Sequence, residues 1–421
     1  MPRYGKKIYT LIDFGSDKIG VMYGTADEAG RPEVLSFAQK NSEGIVQKGE
    51  IMDYNRLIRA LSTVLKEADK LLTSSGERGK VVYLLNGMHV TAQEGIGSVN
   101  IAGAGEKITP EQCDEAVNRA ITQPSSPERR NFGIYDSYFV IDGHIRVKNP
   151  IGEMADRLDA HVHLLSTDVK RLDRIDAVLR EVGFEQGGEP MYSAIAPVYG
   201  ALTVDERNQG ALVIDMGAET TSYAAVADDG VLTSGMIPVG TSHAANDLHA
   251  GLDLPFDFCR TFLRDHQLVK LRGGGVNFLE YTDTPTGKRR HIPLDSFEKI
   301  CNARLHETFS LIRSAMEEHE LFPLIGSGCV LTGGGATLDP ALNILRDVMG
   351  MHVRLGEPEK LSGPMNGFTS APPCYAALWG MLKAAAAESD SSDRPSISDA
   401  LAGIFDRVMK QLNNTRKAWR I

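Results

Sequence analysis

Ala211-Leu-Val-Ile-Asp-Met-Gly-Ala-Glu-Thr-Thr-Ser-Tyr-Ala-Ala-Val226 sets the plan of this chain. It reads as an apolar strand ending in Asp215, a tight turn of small residues through Gly217, and a second strand leaving from Thr220-Thr221. Asp228-Asp229-Gly230 then turns the chain into a third strand, Val231 to Pro238. Two strands meeting at a glycine turn present backbone N–H groups at their tip, and such a tip can hold phosphate oxygens. An aspartate closing the incoming strand is placed to hold the water shell of a Mg²⁺ bound to those phosphates.

A lone Asp-x-Gly is the mark of an ordinary hairpin turn, but here the plan occurs twice. Ile8 to Ile12 is an apolar strand that ends in Asp13-Phe14-Gly15-Ser16-Asp17-Lys18. A second strand (Ile19 to Tyr23), a polar turn and a third strand (Glu33 to Phe37) follow. Asp13 and Asp215 therefore stand at equivalent points. Further on, Cys329-Val-Leu-Thr-Gly-Gly-Gly335 is a strand running into a triple-glycine loop, with a helix-like stretch from Leu338. Glycine-bearing strand ends in that order describe a nucleotide held between duplicated halves.

Composition sets outer limits. With 421 residues, 42% hydrophobic and 24% charged, the chain is expected to form a soluble protein of two or more subdomains. A net charge of −10 argues against broad nucleic-acid binding. Cys113, Cys259, Cys301, Cys329 and Cys374 are scattered without C-x-x-C spacing, which fits a reducing cytoplasm and predicts no zinc site. Asp13 interrupts the apolar run that follows the basic start, so no signal-peptide core forms, and no run approaches the length of a bilayer span.

Tyr54 to Leu72 carries apolar residues at helical spacing and predicts an amphipathic helix packed on a sheet, followed by a strand at Val81 to Leu85. From Asn86 to Leu165 the texture changes to strand-like Val90 to Ile101, helix-like Pro110 to Ile121, and strands at Tyr135 to Ile141 and Ala160 to Leu165. This predicts a compact α+β insertion, joined to the first half by Asn149-Pro-Ile-Gly-Glu-Met154 and Arg157-Leu158. Helices are expected from Asp168 to Val182, through most of Asn246 to Leu268, and from Pro293 to Leu321, with a loop or hairpin around Tyr281 to Arg290. Cys374 to Ala387 predicts an Ala-rich helix packing back on the first half, with Trp379 in the core. Arg304 and Glu307 stand either beside an adenine or on a solvated helix face.

The tail is a separate object. Glu388 to Ser396 is a polar linker, after which Ile397, Leu401, Ile404, Phe405, Val408, Met409 and Leu412 recur at helical spacing. Arg407, Lys410, Arg416, Lys417 and Arg420 oppose Asp406 alone, and Trp419 lies near the end. A basic amphipathic helix with an aromatic, hung from a linker, suits an anionic membrane surface; the bland alternative is a helix docked on the protein or on a partner. Insertion of Ile404, Phe405, Val408 and Leu412 at about 1.5–3 kcal/mol each describes a reversible anchor.

These motifs resemble the actin/Hsp70/hexokinase superfamily and, within it, the FtsA family of bacterial division proteins. Asp13-Phe14-Gly15-Ser16-Asp17-Lys18 resembles the first phosphate motif, with Lys18 as the basic residue that approaches the phosphates. Asp215-Met216-Gly217-Ala218-Glu219-Thr220-Thr221 resembles the second. Leu331-Thr332-Gly333-Gly334-Gly335-Ala336 resembles the adenosine motif. The insertion, Asn149-Pro150-Ile151-Gly152 with Arg157-Leu158 at its close, Ile237-Pro238-Val239-Gly240-Thr241 with Asn246-Asp247-Leu248, and the terminal linker and helix narrow the likeness to the FtsA type. One departure stands out: Ala218-Glu219 replaces the usual Gly-Gly. Either Glu219 points away, or orients a water or metal, with ATP binding intact; or the site binds nucleotide weakly and hydrolyses it poorly.

The resemblance implies an α/β actin-like ATPase fold: two ribonuclease-H-like domains around a nucleotide cleft, a small α+β inserted subdomain and a C-terminal amphipathic helix. Its divisions fall at 1–85 and 166–207 (subdomain 1A, with 371–387 packing back), 86–165 (1C), 208–240 and 327–370 (2A), 241–326 (2B), a linker 388–396 and a membrane-targeting helix 397–421. It implies ATP and Mg²⁺, with Asp13 and Asp215 touching the metal's water shell, and no catalytic base is assigned. Nucleotide would act chiefly as an assembly ligand. The implied function is polymerisation on the cytoplasmic side of the inner membrane at the division site. There the chain would anchor the FtsZ ring through the FtsZ C-terminal peptide bound to 2B, and recruit later division proteins. The alternatives are a small-molecule kinase of the same superfamily and a PilM-like pilus-assembly scaffold.

Overall fold

The computed structural model describes residues 7–27, 31–42, 44–72, 78–101, 106–122, 126, 128–282, 287–358 and 372–390. The first half opens with the meander β1 (Ile8–Phe14), β2 (Lys18–Ala26) and β3 (Pro32–Asn41). A hairpin of two short strands, β4 (Val46–Gln47) and β5 (Glu50–Ile51), precedes α1 (Tyr54–Leu71). Asp53 starts α1 by accepting the N–H of Arg56, and Leu57, Leu61, Val64, Leu65 and Ala68 form its buried face. β6 (Lys80–Leu85) then pairs parallel to β1.

The insertion follows β6: β7 (Thr91–Asn100), α2 (Pro110–Ile121), β8 (Arg129–Ile141), β9 (Ile145–Val147) and β10 (Arg157–Asp168). Its sheet runs β7-β10-β8-β9, and α2 covers one face to enclose a separate core that includes Val99, Val117, Leu158 and Val162. Thr109 and Gln112 form a capping box at the start of α2, with Pro110 at its first turn, which fixes where that helix begins. The chain re-enters the first half through α3 (Val169–Glu181) and β11 (Glu189–Tyr192), then crosses through α4 (Ala196–Ala201) and α5 (Val204–Gln209).

The second half repeats the plan. β12 (Ala211–Met216), β13 (Thr221–Ala227) and β14 (Gly230–Ile237) form its meander. A helical excursion, α6 (Thr241–Leu252), α7 (Phe256–Arg264) and α8 (Gln267–Gly273), leads to the hairpin β15 (Phe278–Thr282)–β16 (Arg289–Pro293) and the long α9 (Leu294–Glu318). β17 (Cys329–Thr332), α10 (Ala341–Met349) and β18 (Val353–Leu355) complete the sheet, and α11 (Ala376–Asp390) returns to the first half.

Strand orders prove the duplication. The first sheet runs β11-β6-β1-β2-β3 and the second β18-β17-β12-β13-β14, each with an antiparallel meander and two parallel strands. Alternation along β12 divides the core. Leu212, Ile214 and Met216 face the helices of the second half, while Ala211 and Val213 join the core that also holds α4, α11 and the first sheet. Trp379 is 3% exposed in that shared core.

One expectation fails. Asn149 to Met154 does not join the insertion to the first half. It folds on the insertion's own loop: Ile108 N–H donates to Glu153 O, Gly152 N–H donates to Ile108 O, both at 2.9 Å, and Lys107 bridges Met154. Pro150 and Gly152 look like a linker in sequence, but here they make a tight closure whose partners are far along the chain. The real root lies at the other end of the sheet, where His89 Nδ1 pairs with Thr167 Oγ1 at 2.7 Å and the Arg129 guanidinium binds the carbonyls of His89 and Ser166.

Candidate nucleotide cleft

Asp13 lies near the end of β1, and Asp215 near the end of β12, its counterpart. Burial pushes both carboxyls up to about 7, and for Asp215 the charge of Asp13 adds to the rise. Neither has a salt bridge among the described residues. Two half-buried carboxylates close enough to feel each other's charge form a place that favours a cation. No cluster of three or more His, Cys, Asp or Glu stands ready to ligate a metal directly among those residues.

The glycines around them keep the backbone bare. A methyl on Gly15 would fall 2.7 Å from Lys18 O, and one on Gly217 would lie 3.0 Å from Thr220 O, whose carbonyl accepts the Gly217 N–H at 2.9 Å. Gly333 has φ of +85° and its added methyl would sit 2.2 Å from Asp215 Oδ1, so only glycine fits there. Gly334 to Thr337 forms a short 3₁₀ turn, closed by Thr337 Oγ1 donating to Gly334 O. Such a cradle fits phosphates and a ribose resting against backbone, and the paired carboxylates fit the water shell of Mg²⁺.

Other predicted residues find particular places. Lys18 opens β2, and its charge reaches the thiol of Cys374 at the foot of α11, as do the charges of Asp215 and Asp13. Asp17 lies across from Arg260 of α7 at 4.0 Å, and Ser16 is half-buried in the first turn. Thr221 is fully buried and donates to Val239 O, so its side chain braces the second loop from behind; Ala336 is likewise buried. Arg304 clamps Asp247 of α6 through two hydrogen bonds of 2.6 and 2.9 Å and also pairs with Glu307. Ile404, Phe405, Arg407, Val408, Met409, Lys410, Leu412, Arg416, Lys417, Trp419 and Arg420 lie outside the described residues.

Glu219 turns toward the opposite half. Its Oε2 accepts the backbone N–H of Lys48 at 2.6 Å, and its neighbour Thr220 receives a hydrogen bond from Asn86 Nδ2 at 3.2 Å. Sequence reasoning missed Lys48, Asn86 and Cys374. Asn86-Gly87 was detectable, since it ends β6 as Thr332-Gly333 ends the equivalent β17. Behind the 3₁₀ turn, Phe262, Leu263, Leu268, Val269, Leu305 and Leu338 line an apolar crevice of about 30 Å³.

The chain overlays the PilM-PilN type IV pilus biogenesis complex with a TM-score of 0.60 at 16% identity, covering 91% of this chain and 99% of that one. It overlays MreB5 of Spiroplasma citri bound to ADP at 0.50 and 14% identity, covering 89% and 95%. The protein therefore has the actin-like ATPase fold. Residues 87–166 match the family described as the SHS2 domain inserted in FTSA. The chain is 24% identical to cell division protein FtsA of Pseudomonas aeruginosa over 362 residues, 85% of this chain and 84% of the relative. With FtsA of Escherichia coli K12 the figures are 22% over 392 residues and 90% of each. Within the actin-like fold, this chain is similar to FtsA proteins over most of its length.

Proposed function

We propose that this protein is an ATP-binding, actin-like cell-division protein. It polymerises on the cytoplasmic face of the inner membrane, anchors the FtsZ ring through the FtsZ C-terminal peptide, and recruits later division proteins. The observation that carries the reading is the meeting of Asp13 and Asp215 at the ends of equivalent strands, in a fold that also bears the FtsA-type insertion.

In this reading Gly15 to Lys18 and Gly217 to Thr220 hold the phosphates, and Gly333 to Ala336 lets the ribose and base approach the backbone. Asp13 and Asp215 hold the water shell of Mg²⁺. Bound Mg²⁺–ATP supplies cross-cleft charge that both halves share, and so biases them toward one arrangement. Subdomain 2B, 241–326, takes the peptide. The basic tail, 397–421, grips anionic lipid. No helix of the described residues is long and apolar enough to cross a membrane. Weak binding per tail is multiplied when a polymer presents many of them.

Flotation with anionic liposomes, with and without ATP and FtsZ, tests the whole reading. The full chain is expected to float with vesicles, and a chain ending at Ser391 to stay in solution. Flotation of neither form removes the anchor, and leaves the pilus-type scaffold as the better account. Phosphoryl transfer to a sugar or polyol would instead favour a kinase.

A further inference from the structure

The second phosphate loop is fastened to the opposite half at two consecutive residues. Glu219 accepts the Lys48 N–H at 2.6 Å, and Thr220 accepts from Asn86 at 3.2 Å. Lys48 belongs to the turn between β4 and β5 and takes a left-handed φ of 47°, which aims its amide at the loop. Gly49, at φ of 78°, lets that turn lie against the next segment, because a methyl there would fall 2.5 Å from Gly87 N. Asn86 is itself held, its Oδ1 accepting from Ser193 Oγ at 3.1 Å and from Gly87 N–H at 3.0 Å. On the far side of the turn, Glu50 pairs with Arg171 of α3, which also binds Asp168 at the root of the insertion.

We infer that Glu219 and the Lys48–Gly49 turn form a cross-cleft latch that discriminates nucleotides by their terminal phosphate, favouring a nucleoside diphosphate over the triphosphate. The inference rests on the nucleotide reading of this cleft. A backbone N–H offers one proton, so an incoming phosphate oxygen and the Glu219 carboxylate compete for it. Two anionic groups side by side in a half-buried loop also repel each other. A diphosphate leaves the latch closed; a third phosphate opens it. Opening releases the β4–β5 turn from the loop, and this hairpin touches the segments that flank the insertion on both sides: Gly49 lies against Asn86-Gly87 before β7, and Glu50 pairs with Arg171 of α3 after β10. Glu219 is thus a positioning residue whose effect is read in which nucleotide binds.

The test is titration of the full-length protein with ADP and with a non-hydrolysable ATP analogue, both with Mg²⁺, followed by calorimetry. Wild type is expected to bind ADP at least tenfold more tightly than the analogue. Glu219→Gln keeps an acceptor for Lys48 and removes the charge, so the preference is expected to shrink several-fold; Glu219→Gly is expected to abolish it. Hydrogen exchange at residues 46–51 is expected to be faster with the analogue than with ADP. An ADP-to-analogue ratio near one in wild type, or a ratio unchanged in Glu219→Gln, overturns the latch while leaving nucleotide binding intact. Failure of wild type to bind either ligand overturns the latch and the reading of the cleft together.

Discussion

Gly200 on α4 and Gly380 on α11 lie backbone against backbone: a methyl on Gly200 would fall 1.8 Å from Ala376 O, and one on Gly380 would fall 1.8 Å from Ala196 O. In an exposed helix Gly→Ala gains about 1 kcal/mol of propensity. Here overpacking, commonly about 1–3 kcal/mol and met by rigid backbone, outweighs it. Gly200→Ala and Gly380→Ala are each expected to lower the urea midpoint. The double variant is expected to cost less than the sum, because the first methyl already parts the helices.

The paired aspartates make a pH prediction for the nucleotide-free protein. Their folded pKa of about 7 lies above the ordinary value of 3.8, so between those values the folded state binds more protons than the unfolded. Their contribution to stability therefore falls as pH rises through that window and stays low above it. Asp215→Asn is expected to raise the melting temperature more at pH 8 than at pH 5.5, and to weaken binding of Mg²⁺–nucleotide. An equal effect at both pH values would refute the assignment.

His163 of β10 sits where the insertion meets the second half, bonded through Nε2 to Ser234 Oγ of β14 at 2.7 Å. Burial holds its pKa down to about 4, with His319 adding to the drop and Glu94 opposing it. A pKa below the ordinary 6.5 means that its contribution is whole above 6.5 and is lost as pH falls toward 4. His163→Ala is expected to cost about 1–3 kcal/mol at neutral pH and less near pH 4. Urea titrations at the two pH values check this.

Cys374 is exposed, while Cys113, Cys259, Cys301 and Cys329 are buried. Desolvation pushes its thiol up to about 11, with Lys18 pulling the other way. Alkylation by iodoacetamide is expected to be slow at pH 7, to speed up about tenfold per pH unit toward that value, and to fall on Cys374 first. Mg²⁺–nucleotide is expected to protect it. Protection that is missing while nucleotide is bound would mean that the phosphates do not lie above Asp13 and Asp215.

What could be read in advance was whatever repeats or alternates. The twin meanders carry their own period and turn residues, and α2 was predicted at Pro110 to Ile121, the bounds observed. Short elements gave weaker signals: β4, β5, β11 and β18 are too brief to show a period. α5 announces itself in the sequence through the capping box Thr203–Glu206. The partner of Glu219 is another matter. Lys48 is 171 positions away, and contact between them exists only because both halves are folded and facing.

The chain passes between its halves through α4 and again into α11, and those two passages cross at Gly200 and Gly380. A second tether, His163 to Ser234, ties the insertion to β14. Once the contacts across the mouth, Glu219 to Lys48 and Thr220 to Asn86, are open, those two ties leave the halves a swing about the line joining them. Widening of the mouth above Asp13 and Asp215 is then steered like a door on two pins, and the inserted module, carrying one pin, turns with whichever half it grips more firmly.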